Sequence, residues 1–163
     1  MGDLKELLLN EGFEDVSSYI NSGNLFFTSI QSSENCISKI RNLLENNYDF
    51  SIPFALISKE AYLEERSELS DWWYGELARR DVLFIPNQID KSDIIDFINE
   101  SQFYNEIVHI GRNAIFWGKY DESEYLKSTY HKKLIKQDFY KKITIRNGKT
   151  YEKIAEILEK ENN

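Results

Sequence analysis

Residues 19–27 read Tyr-Ile-Asn-Ser-Gly-Asn-Leu-Phe-Phe, and residues 109–117 read His-Ile-Gly-Arg-Asn-Ala-Ile-Phe-Trp. In each stretch two apolar or aromatic runs flank a short cluster of Gly, Asn and polar residues. Gly and Asn tolerate positive φ, so each stretch predicts a β-hairpin. Around the first, Leu4, Leu7, Leu8 and Leu9 predict a short amphipathic helix stopped at Gly12. Ser32 or Ser33 caps a helix carrying Ile37, Ile40, Leu43 and Leu44, and residues 52–57 read as a buried strand with Pro53 at its beginning. Around the second hairpin stand a strand at 82–85 closed by Pro86 and a helix opened by Ser92 and Asp93. Beyond it come a helix through Tyr125, Leu126, Leu134 and Ile135, a strand at 143–145, and a last helix from Thr150.

Strand–helix–hairpin–helix–strand is the split arrangement of ferredoxin-like units. The pattern predicts an α+β fold of two tandem ferredoxin-like split βαββαβ subdomains with antiparallel sheets, the first unit lacking its opening strand. The expected boundaries are 1–63 for the incomplete N-terminal subdomain, 64–80 for a charged, aromatic connector, and 81–163 for the C-terminal subdomain with an extra helix.

The chain has 163 residues, with ten Tyr, ten Phe, three Trp, two Pro and seven Gly, which excludes a disordered or low-complexity polymer. One Cys and two His build neither an internal disulfide nor a closed zinc site. No apolar run approaches the roughly 20 residues that span a bilayer, and no signal-peptide pattern is legible. The expectation is a cytoplasmic protein without membrane association, metal or cofactor, monomeric or weakly dimeric.

The formal charge is −8, which disfavours nucleic acid as a partner. Residues 127–153 run against that balance, with nine Lys or Arg against two acids. Such a basic stretch is an electrostatic footprint or a solubilising face.

Three groups of residues are candidate sites. Arg146, Asn147 and Thr150 stand where a strand meets the last helix. There an Arg fork and free helix N–H groups would hold an anion such as a phosphorylated metabolite or nucleotide. Alternatively, Arg146 pairs with a carboxylate and Asn147 shapes the turn. Ser22, Gly23 and Asn24 could present backbone N–H groups to a ligand, or serve only the hairpin turn. His131 and Lys132 combine a titratable ring with a cation, although a surface histidine on a basic helix has the same pattern. No Walker loop, HExxH, GxSxG or CxxC is present, so whether the chain is an enzyme stays open.

Tyr19-Ile-Asn-Ser-Gly-Asn-Leu-Phe-Phe27, Ile115-Phe-Trp-Gly118, Thr129-Tyr-His-Lys132 and Thr144-Ile-Arg-Asn147 with Thr150 resemble bacterial domain-of-unknown-function family 1697, from about Met1 to Leu158. The resemblance implies a two-subdomain α+β fold and no established activity. It also implies a hydrophobic strand and an Arg-Gly-Ile-Asn-Val-Gly-Gly stretch ahead of the first helix, where this sequence begins Met1-Gly-Asp-Leu; the expectation is a chain shortened at its N-terminus. The functional expectation is a binding or interaction module, with a phosphorylated-metabolite site at Arg146 and Asn147 as the alternative.

Overall fold

The computed structural model describes residues 2–20 and 23–161. The chain divides into two compact units, Met1–Ile52 and Pro53–Asn163.

The first unit runs α1 (Gly2–Asn10), β1 (Glu14–Tyr19), β2 (Asn24–Thr28) and α2 (Ser33–Asn47). Gly12, at φ +96°, ends α1. Its N–H donates to Leu9 O at 3.0 Å and the Phe13 N–H to Leu8 O at 3.1 Å, which satisfies two carbonyls the helix leaves open. Ser32 caps α2 by accepting from the Asn35 N–H at 3.2 Å. The strands β1 and β2 are antiparallel, with Tyr19 opposite Asn24 and an irregular register between Glu14 and Ser17. Asp15 sits in that irregular stretch at φ +52°. Leu8, Phe13, Cys36, Ile40, Leu43 and Leu44 are buried, and the Phe13 ring meets Phe27 at 4.5 Å.

The second unit carries α3 (Lys59–Ser67), β3 (Arg79–Phe84), α4 (Ser92–Glu100), β4 (Glu106–Ile110), β5 (Ala114–Lys119), α5 (Thr129–Lys132), β6 (Thr144–Asn147) and α6 (Gly148–Lys160). Its sheet has the order β4-β5-β3-β6, and every neighbouring pair is antiparallel. Alternation along the strands divides the core in two. On one face Leu83, Ile115 and Trp117 pack with Ile94 and Ile98 of α4 and with Tyr130, Leu134 and Ile143. On the other, Phe84 and Phe116 pack with Tyr62 of α3, Tyr151 of α6 and Trp73, ring centroids 5.3–6.3 Å apart.

Two expected elements differ. Residues 52–57 form no strand: Pro53 has no N–H to give a ladder, and the Leu56 N–H donates instead to the side-chain Oδ1 of Asn87 at 3.0 Å. Among the described residues the first sheet therefore has two strands and the second four. The long helix expected through Tyr125 and Ile135 is broken into 3₁₀ turns at Glu122–Lys127, Leu134–Lys136 and Asp138–Lys142 around the four-residue α5. Ser128 is the reason at its start, since its Oγ accepts from the His131 N–H at 3.1 Å and caps a new helix in mid-segment.

Candidate functional site

The β6–α6 junction has the local structure expected, and two of its donors serve the fold. Asn147 is the N-cap of α6, and its Oδ1 accepts from the Thr150 N–H at 2.9 Å. Arg146 is half-buried, its Nη1 donates to Ile145 O at 2.8 Å, and burial pulls its guanidinium below the usual arginine range. Thr150 is buried. Gly148, the first residue of the helix, is pressed against Arg80: a Cβ there would meet Arg80 Cβ at 2.8 Å.

The hairpin candidates belong to the first unit. Gly23 adopts φ +91°, the conformation that makes a glycine useful there. Asn24 is buried and its Nδ2 donates to Tyr19 O at 3.1 Å, closing the turn. Ser22 lies outside the described residues. His131 and Lys132 are on α5; the His131 ring lies 5.1 Å from Tyr125, and Lys132 is exposed. Arg146, Asn147 and Thr150 thus stand together, and His131 and Lys132 form a separate place on another element.

A buried charged cluster on the α4-covered sheet face was not among the sequence candidates. Asp81 of β3 and Lys119 of β5 sit on that face with their side chains 2.6 Å apart, and Lys119 is 1% exposed. The Lys119 ammonium also lies 3.5 Å from the centroid of the Tyr130 ring. Burial pulls it below the usual lysine range, and the Asp81 charge opposes that pull. Beside it, Glu106 holds the start of α5: its carboxylate accepts from the Thr129 and Tyr130 N–H groups at 2.9 and 3.0 Å and from the Trp117 indole at 3.0 Å. The strand alternation carried the signal, since Asp81 shares the parity of Leu83, and Lys119 that of Ile115 and Trp117.

A second feature lies along α4. A groove of about 580 Å³ runs between α4 and the 3₁₀ turn Asp138–Lys142. Ile89, Phe97 and Phe139 line it, with the two phenyl rings edge to face at 5.8 Å. Five carboxylates, Asp90, Asp93, Asp96, Glu100 and Asp138, also line it, against the single ammonium of Lys142. All five residues are exposed, and among the described residues none of them forms an ion pair. Along α4 the spacing of three and four residues from Asp93 to Glu100 is the signal the sequence holds for this stripe, which was not among the sequence candidates.

These features define an α+β protein of two units, with antiparallel sheets and helical cover. The chain belongs to the family described as Protein of unknown function (DUF1697), whose model matches residues 1–116. The motifs at 129–132 and 144–147 lie beyond that match. The structure is similar to that of the conserved bacterial protein SP0830 from Streptococcus pneumoniae, with a TM-score of 0.93 and 42% identity over 98% of this chain and 88% of that one. No curated protein matches the chain. Among the described residues no helix is long and apolar enough to cross a membrane.

Proposed function

We propose that this chain is a cytoplasmic protein-interaction module, monomeric or weakly dimeric, whose binding face is the groove beside α4. The observation that carries the reading is the contrast in how the second unit uses its acids. Glu65 accepts from the Asn113 N–H at 2.7 Å, Asp81 holds Lys119, Glu106 caps α5, and Glu152 takes Arg66 and the Trp73 indole. Those carboxylates are committed to the fold. The groove carboxylates stand around an apolar floor and, among the described residues, pair with no cation; Asp90 accepts from the Ser92 N–H at 2.9 Å. The order β4-β5-β3-β6 supports reading residues 79–147 as one split βαββαβ unit, with the α1–β1–β2–α2 segment as a partial second copy.

The test is a photo-crosslinking side chain introduced at Gln88, on the groove wall, and for comparison at Glu45 in α2. A discrete adduct in cells from position 88 alone supports the reading; equal labelling from both positions, or none, overturns it. The alternative, a phosphorylated metabolite at Arg146 with Asn147 and Thr150, has in its favour the half-buried Arg146 beside the N-terminus of α6. A concentration-dependent rise in melting temperature with nucleotides or sugar phosphates, abolished by Arg146→Ala, would establish it in place of the module.

A further inference from the structure

The groove's chemistry specifies what it takes. We infer that it recognises a basic segment of another protein in which Lys or Arg residues flank one aromatic or aliphatic side chain. This rests on the interaction-module reading and names the partner of the same face.

Asp93, Asp96 and Glu100 stand at i, i+3 and i+7 of α4, so they share one stripe that rises about 10 Å along the helix. Phe97 lies within that stripe and forms the floor with Phe139 from the opposite wall. Asp138 brings a fifth carboxylate from that wall. An apolar centre ringed by anions complements an apolar anchor between cations. Among the described residues no group of these acids is placed to hold a metal ion.

The free helix also carries a cost that such a partner removes. Like charges three and four residues apart repel, and Glu100 stands in the last turn, at the negative end of the helix dipole, with no basic residue there to offset it. A cationic segment relieves both at once. Lys142 is the one groove residue that works against it.

The probe is the capped peptide Lys-Lys-Trp-Lys-Lys, titrated against the full chain by fluorescence anisotropy at low salt and again at about 0.3 M salt, where surface attraction is screened. The expected results are affinity that falls with salt, a loss of about tenfold in Asp93→Asn/Asp96→Asn, and tighter binding in Lys142→Gln. The charge-matched control Glu45→Gln/Asp49→Asn, remote in sequence from the groove, should bind as the parent does. Replacing the peptide's Trp by Gly should cost about tenfold as well, because the floor loses its anchor. If the control variant loses as much as the groove variant, or the Gly peptide binds as tightly, the attraction is diffuse and the inference is overturned. A crosslink at position 88 without peptide binding keeps the module and removes the basic partner. Peptide binding without a crosslink keeps the recognition chemistry and removes the module.

Discussion

Replacing Lys119 by Met keeps the length and apolar stem of the side chain and removes its charge. Lys119 is 1% exposed, and Asp81, 2.6 Å from its ammonium, is itself buried. The substitution therefore leaves a carboxylate in the interior with its counter-charge gone, which costs roughly 3–5 kcal/mol. Loss of the ammonium 3.5 Å from the Tyr130 ring centroid acts in the same direction, by up to about 2 kcal/mol. Against a typical domain stability of roughly 5–15 kcal/mol, about 4 kcal/mol is a large fraction. The reverse single change, Asp81→Leu, strands the ammonium, but the Tyr130 face remains to it and the loss is smaller. The double variant Asp81→Leu/Lys119→Met exchanges the pair for apolar groups and abolishes the desolvation cost of both. It should return to within about 1 kcal/mol of the parent, or exceed it. Urea unfolding followed by the fluorescence of buried Trp117 and Trp73 reads all four proteins on one scale, with midpoints compared at constant slope. A loss below about 1 kcal/mol in Lys119→Met, or two single losses that simply add in the double variant, would refute the buried-pair reasoning.

Glu106→Ala removes the acceptor of two helix N–H groups and of the buried Trp117 indole. A loss of about 3 kcal/mol or more in urea unfolding is expected, with Glu106→Gln retaining part of it. Among the described residues the Tyr151 hydroxyl is buried without a hydrogen-bond partner, so Tyr151→Phe should raise stability, by about 1 kcal/mol, in the same measurement. Burial raises the values of Tyr62, Tyr130 and Tyr151 well above the ordinary tyrosine range. Their contribution is thus complete below pH about 10, and above it the unfolded chain ionises while the folded one holds its protons. Stability should fall by about 4 kcal/mol per pH unit there. Lys119, shifted downward by burial, acts oppositely, adding stability with rising pH only up to about pH 10.4. Unfolding midpoints at pH 9, 10.5 and 11 check the sign, and a flat profile would contradict it.

Both hairpins were legible because Gly23 and the 111–113 cluster supply turn chemistry between alternating apolar runs, and both formed. The second sheet followed from the same local signals. The strand at 52–57 was misread because its apolar composition matches a buried strand, whereas ladder formation depends on a neighbour that sequence does not display. The helix through 125–135 was misread for a related reason. Its apolar spacing fits a helix, yet Ser128 and the carboxylate of Glu106, 23 residues upstream of Thr129, offer the backbone a fresh start in mid-segment. The Asn147 cap and the Gly23–Asn24 turn were visible as residue types with a turn or capping role, and the structure gives them that role. Asp81 and Lys119 were missed although both lie at the buried parity of their strands, because a charged residue at a strand end reads as solvent-facing until its cross-strand partner is known.

The groove is tested most directly by following the backbone amide resonances of the ¹⁵N-labelled chain as the Lys-Lys-Trp-Lys-Lys peptide is added. Shifts confined to residues 88–100 and 137–142, saturating together and suppressed at about 0.3 M salt, are the expected outcome. Shifts scattered over other acidic surfaces, such as Glu60, Glu64 and Glu68 in and beside α3 or Glu34 and Glu45 of α2, would show that the peptide answers only to net charge and that the groove recognises nothing.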